Sequence, residues 1–221
     1  MKLICDFMLE NILIMGAPGS GKGTIAGMIS DEYLLEHISA GELIRREIKN
    51  KNSKITVYKE SLNNGNLLPN NVVMDLIKDE FDKKGNFILD GFPRNVEQAE
   101  MLETFFEKHN IVLSAVINLE VDTETAKKRI SGRRECKTCD AVYNIYFSPP
   151  EKENTCDKCG SELYSREDDN PEAIEHRLKI YRKETAPVEE FYRKKVMFVE
   201  IDGSGSPSET YLRVKNFLDS L

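Results

Sequence analysis

The stretch Ile12-Leu13-Ile14-Met15 runs directly into Gly16-Ala17-Pro18-Gly19-Ser20-Gly21-Lys22-Gly23-Thr24, and then into Ile25, Ala26, Met28 and Ile29. Four consecutive apolar residues read as a strand buried on both faces. The apolar positions after Lys22 recur at helical spacing. Between the two, Gly16, Gly19 and Gly21 permit positive φ and a close approach of backbone to ligand. Strand, glycine turn and helix in succession aim backbone N–H groups and a positive helix end at one point, which makes an anion site. A glycine turn alone needs no ligand, but this context is the one a phosphate-binding loop requires. Gly19, Ser20, Gly21, Lys22, Gly23 and Thr24 are therefore candidate triphosphate contacts. Lys22 would supply a point charge for the terminal phosphates, and the Thr24 hydroxyl would ligate Mg²⁺.

Further buried strands are expected at Phe87–Leu89, Ile111–Leu119 and Val196–Ile201. Each precedes a helical pattern, at Val96–His109, Thr123–Ser131 and Ser208–Leu221. Strands alternating with helices predict an α/β fold with an open, mostly parallel sheet. Two stretches break the rhythm. Ser39–Pro69 is helical and polar, and reads as a small helical insertion. Gly132–Asp169 is rich in Cys, Pro, Asn, Asp and Lys, and its aromatic run Val142–Phe147 suggests a hairpin. The chain thus divides into a core of residues 1–38, 70–131 and 170–221, with inserts at 39–69 and 132–169.

A chain of 221 residues can bury one substantial core. A formal charge of −7 argues against general nucleic-acid binding, although a local basic cleft is compatible with it. No apolar run approaches the roughly 20 residues needed to cross a bilayer. Met1–Met8 has the flavour of a signal peptide, but Asp6, Glu10 and Asn11 interrupt it, and it reads as an extension before the first strand. The cytosol is the expected compartment, where five cysteines mean metal or free thiols rather than disulfides.

Cys136-x₂-Cys139, sixteen residues, then Cys156-x₂-Cys159 is the spacing of a four-thiolate Zn²⁺ site. A segment this small cannot bury enough apolar area to fold firmly, so a metal staple is expected. Lys137, Lys158 and Gly160 suit the knuckle turns. Spacing alone also admits iron. Cys5 reads as an apolar residue. A zinc ribbon that binds nucleic acid is the rival reading, but Glu135, Asp140, Glu151, Glu153, Asp157 and Glu162 offset the basic residues there.

The glycine loop departs from the general pattern at one place, where Gly23 intervenes between Lys22 and Thr24. The form Gly-x-Pro-Gly-x-Gly-Lys-Gly-Thr resembles that of the nucleoside monophosphate kinases, adenylate kinases above all. Ser39-Ala-Gly-Glu-Leu-Ile-Arg45 and Asp90-Gly-Phe-Pro-Arg-Asn-Val-Glu-Gln98 resemble two further signatures of that family. Arg129-Ile-Ser-Gly-Arg-Arg134 and Arg166-Glu-Asp-Asp-Asn170 resemble the hinges of its lid, which in some members carries four zinc-binding cysteines. The matched segments run from Ile12 to beyond Gly203, almost the whole chain.

The resemblance implies a P-loop NTPase core with a parallel five-stranded sheet flanked by helices, an NMP-binding helical insert at 39–69 and a zinc lid at 132–169. It implies transfer of a phosphoryl group from Mg·ATP to AMP, giving two ADP. Lys22, Arg94, Arg133, Arg166 and Arg177 would surround the transferring group. Arg129 and Gly205 would join the glycine loop and Arg133 around ATP. Ala40, Arg45, Leu67, Leu68, Gly91, Arg94, Gln98, Arg166 and Arg177 would hold AMP. Asp90 would orient water on Mg²⁺, and Asp168 and Asp169 would pair with lid arginines. Since His176 and Arg177 are neighbours on a helix, one of the two is expected to face the cleft. Ala40, where many adenylate kinases carry Thr, leans toward a UMP- or CMP-accepting enzyme, while Gln98 suits the donor–acceptor edge of adenine. A monomer with ATP and AMP as partners, and without nucleic acid or membrane, is the accompanying expectation.

Overall fold

The computed structural model describes residues 9–81 and 86–221. The extension at 1–8, with Cys5, lies outside the described residues. In chain order the elements are β1 (Asn11–Gly16), α1 (Lys22–Tyr33), β2 (Glu36–Ser39), α2 (Ala40–Lys49), the short helices α3 (Ser53–Thr56) and α4 (Lys59–Asn63), and α5 (Asn70–Phe81). Then come β3 (Phe87–Asp90), α6 (Val96–His109), β4 (Leu113–Glu120), α7 (Thr123–Ser131), β5 (Arg133–Cys136), β6 (Val142–Asn144) and β7 (Leu163–Tyr164). The chain finishes with α8 (Pro171–Ile180), a π-helical turn at Tyr181–Thr185, α9 (Ala186–Arg193), β8 (Phe198–Asp202) and α10 (Pro207–Leu218).

Five strands form one parallel sheet in the order β2-β3-β1-β4-β8. The registers Ser39↔Asp90, Ile14↔Asp90, Gly16↔Leu119 and Glu120↔Asp202 bring all five carboxyl ends to one edge. Alternation along the strands sorts the core into two layers. Leu13, Met15, Phe87 and Leu89 pack on one face with α5, α6 and α9. Ile12, Ile14, Ile88 and Ile117 pack on the other with α1 and α10. The buried strands expected for a sheet covered on both faces are thus what β1 and β3 supply, every residue of both being buried.

Polar residues set where the helices begin. The side chains of Asn95, Asp122 and Asn170 accept from the backbone N–H three residues on, at Gln98, Thr125 and Ala173. Ser206 and Glu209 form a reciprocal capping box at α10. The helices at Val96–His109 and Thr123–Ser131 match their sequence expectation. The sequence reading places four of the five strands and misses β2, because Glu36-His37-Ile38-Ser39 is polar and lies at the sheet edge.

The cysteine segment is a separate three-stranded antiparallel sheet, β6-β5-β7. Its expected hairpin closes between Asn144 and Ser148, which bond mutually at 3.0 and 2.9 Å, and its first strand pairs with β5. Among the described residues, no helix is long and apolar enough to cross a membrane.

Leu34 ends α1 at φ 55° and is 90% exposed, a left-handed position that a branched side chain resists and nothing packs against. Leu34→Gly is expected to stabilise the chain by about 1 kcal/mol in urea denaturation; a destabilised variant would contradict this account of the cap.

Candidate active site

The glycine loop sits at the carboxyl end of β1, in the middle of the sheet. Gly19 has φ 81°, and a Cβ there would lie 2.5 Å from the Ala126 carbonyl oxygen, so α7 packs directly on the loop backbone. Gly21 caps α1 at φ 92°, turning the first N–H groups of the helix toward the loop. Lys22 folds back over this cradle and donates to the Ala17 carbonyl at 3.3 Å. Burial pushes its pKa down to about 8; Asp90 opposes the shift, while Arg94, Arg177 and Arg133 reinforce it. An ammonium held this way is strained toward losing its proton until an anion arrives.

Asp90 ends β3 beside the first turn of α1, its Oδ2 3.4 Å from where a Gly23 Cβ would stand. Burial would raise its pKa, but His37, Lys22 and Arg94 hold it below the usual carboxylate range. Its Oδ1 is buried without a hydrogen-bond partner. A charged carboxylate with an unsatisfied oxygen next to the exposed Thr24 fits a hydrated Mg²⁺.

The arginines converge on the same edge from separate elements. Arg94 donates from Nε to the Gly91 carbonyl at 2.8 Å, and the Thr185 hydroxyl in the π-helical turn donates to the Arg94 carbonyl at 2.8 Å. Arg133 of β5 donates to Asp169 at 2.9 Å, and Arg177 of α8 to Asp168 at 2.9 Å and Asp169 at 3.3 Å. Arg166 pairs with Glu135. Arg129 reaches the carbonyls of Ser20 (3.2 Å) and Gly205 (2.8 Å), with the Phe147 ring 5.7 Å from its guanidinium. The cations of this cleft outnumber its carboxylates although the chain as a whole is acidic. Gly16, Lys22, Leu67, Arg94, Arg177 and Thr185 are among the residues lining a cleft at this edge. Its far sides touch, since Asn63 donates to Glu167 at 2.6 Å and Lys59 lies 3.5 Å from the same carboxylate.

On the remaining positions the structure separates residues that the sequence treats alike. Leu67 lines the cleft, whereas Leu68 is buried in the core, so its side chain is not available to a ribose. Arg177 faces the cleft, and its neighbour His176 meets Asn66 at 2.8 Å on the adjoining segment. Ala40 is buried at the start of α2, and Arg45 on the same helix folds back over Gly41. Gln98 is 1% exposed; its Oε1 accepts from Arg94 N at 2.7 Å and its Nε2 donates to Asn70 Oδ1 at 2.9 Å. Sequence reasoning missed the part played by Glu135, Phe147 and Thr185. Glu135 was legible in principle: it stands two residues after Arg133 on a strand, hence on the same face.

In the small sheet, the Sγ atoms of Cys136, Cys139, Cys156 and Cys159 all lie within 4.8 Å of one another, with 136–159 at 3.4 Å and 139–156 at 3.5 Å. Tetrahedral zinc with bonds of about 2.3 Å needs sulfurs about 3.8 Å apart, so the set fits a structural zinc. Asp140 (φ 55°) and Gly160 (φ 73°) occupy matching left-handed positions just after each pair.

A glycine loop with its lysine at the carboxyl edge of a five-stranded parallel sheet, faced by arginines, defines a P-loop NTPase core. The family profile described as adenylate kinase matches residues 14–197. Proteins named adenylate kinase are similar over nearly the full length. That of Caldanaerobacter subterraneus subsp. tengcongensis is 42% identical over 94% of this chain and 95% of its own. That of Thermococcus kodakarensis is 43% identical over 95% and 94%, and that of Bacillus licheniformis 41% over 94% and 97%. The chain belongs to the adenylate kinase family.

Two outcomes follow from this geometry. Because a bound triphosphate restores the charge of Lys22, ATP binding between about pH 8 and 10.5 should take up a proton. Calorimetry at pH 9 in buffers of different ionisation enthalpy should show this, and buffer-independent heats would refute it. Removing zinc with a chelator should lower the melting temperature by several degrees, and an unchanged melt would exclude the staple.

Proposed function

We propose that the chain catalyses Mg·ATP + AMP ⇌ 2 ADP and so balances the adenine nucleotides, with residues 39–69 as an AMP-binding insert and 132–169 as a zinc lid on the core. The observation that carries the reading is the meeting of Lys22 with Arg94, Arg133 and Arg177, which reach it from separate elements. Transfer to a phosphate needs little base catalysis, because a phosphate monoester with a second pKa of about 6 is already largely anionic near neutrality. The barrier is the approach of two polyanions, which guanidinium groups lower by binding phosphate oxygens bidentately.

In this reading the N–H groups of residues 19–24 and Lys22 hold the ATP phosphates, and Arg129, Phe147 and Gly205 border its adenine. Arg45, Arg94, Arg166 and Arg177 hold the AMP phosphate, and Arg133, Arg166 and Arg177 also close on the group in transfer. Mg²⁺, placed by Thr24 and by water on Asp90, neutralises charge on the triphosphate. Gly91 and Leu67 border AMP, Leu68 adds backbone only, and Ala40 leaves room beside the base. Gln98 retains one amide proton and one lone pair beyond its internal bonds, which match the edge of adenine. Contact of the two far sides of the cleft excludes water, which would otherwise be the acceptor. A cytoplasmic monomer acting on free nucleotides, not on nucleic acid, completes the proposal.

A panel of AMP, UMP and CMP with Mg·ATP, following ADP, tests the reaction and its acceptor together. AMP should be preferred clearly, and a preference for UMP or CMP would overturn the assignment of the base. Lys22→Ala should lower kcat/KM by about 100-fold or more with the fold intact.

A further inference from the structure

Glu135 has no part in the transfer just described, yet it lies among the groups that perform it. It is 7% exposed on β5, and the core of the small sheet does not need its charge. Its Oε1 takes Arg166 Nη2, and its Oε2 accepts from the Tyr164 hydroxyl at 3.3 Å. Arg166 engages it through that one nitrogen. The Arg166 Nε is buried without an acceptor, so the fork that binds an oxyanion bidentately is only partly used. Across the cleft, Arg45 makes no ion pair among the described residues. Burial pushes the Arg45 pKa down, the neighbouring Arg166 reinforces that shift, and Glu135 and Glu42 oppose it. Paired with the Arg166 guanidinium and bonded to the Tyr164 hydroxyl, Glu135 is the carboxylate partner in a partly buried ion pair.

We infer that Glu135 is a resident anion occupying the arginine site of the acceptor phosphate, and that it competes with that phosphate and thereby sets the affinity for AMP. The inference rests on the reading of Arg166 and Arg45 as phosphate ligands. In the empty cleft the carboxylate offsets repulsion between the two arginines. An incoming phosphate carries more charge and more oxygens, so it takes the Arg166 fork, but it must first displace Glu135. The carboxylate therefore weakens the ground-state complex and leaves the transfer step unaltered.

Glu135→Gln keeps the shape and the Tyr164 contact and removes the charge. It is expected to lower the KM for AMP about fivefold, the worth of one partly exposed ion pair, with kcat unchanged within about twofold. Calorimetric binding should tighten for AMP and not for adenosine, which lacks the phosphate; a purely structural role would move both alike. Glu135→Ala, checked for an intact fold by circular dichroism, should shift AMP affinity in the same direction. Arg166→Ala separates the two levels of the argument. If it raises the KM for AMP while neither Glu135 variant lowers it, the competition is refuted and the phosphate assignment stands. If Arg166→Ala leaves the KM for AMP unchanged, the assignment of Arg166 falls, and this inference falls with it.

Discussion

The structure is organised around mutual repulsion among cations that must stand close together before any phosphate arrives. Lys22, Arg45, Arg94, Arg133, Arg166 and Arg177 stand within electrostatic reach of one another, and burial works against the charge of most of them. Two devices make this tolerable. The parallel sheet delivers its carboxyl ends, with their loops, to a single edge, so the cations stand on rigid elements. Carboxylates are then interleaved: Asp169 between Arg133 and Arg177, Glu135 against Arg166, Asp90 near Lys22. The result is a cluster of positive excess in a chain of net charge −7.

These pairings also relate position to chemistry. Asp168 and Asp169 follow Arg166 in a tight turn before α8, so a few residues supply both the cations and their counter-ions. Thr185, in a turn wound more loosely than an α-helix, holds the Arg94 carbonyl and ties α8 and α9 to the segment after β3. Such π-helical turns recur at functional sites, where they re-aim a side chain without ending the helix.

Much of this was legible from residues alone. The glycine loop and the apolar runs within β1 and β3 each carry a local physical signal. The cysteine spacing carries one too. What escaped was set by distant partners. β2 is a strand because β3 offers it a free edge, not because Glu36-His37-Ile38-Ser39 favours one. Leu67 and Leu68 are chemically equal, and only packing decides that one faces the cleft. Gln98 reads from sequence as a free amide, whereas Asn70 and Arg94, brought together by α5 and the loop after β3, engage half of it.

The small cysteine sheet has its own minute core of Cys136, Cys156 and Leu163, with Ala141 and Tyr143 against it, and shares none of these residues with the two main layers. Its integrity is therefore set by thiol chemistry and metal supply, not by the hydrophobic core that holds the rest. Oxidation or metal starvation would act first on this segment, before the hydrophobic layers that hold the rest. Damage of that kind is local at its onset, and a probe placed in the small sheet would report it before any probe of the main sheet.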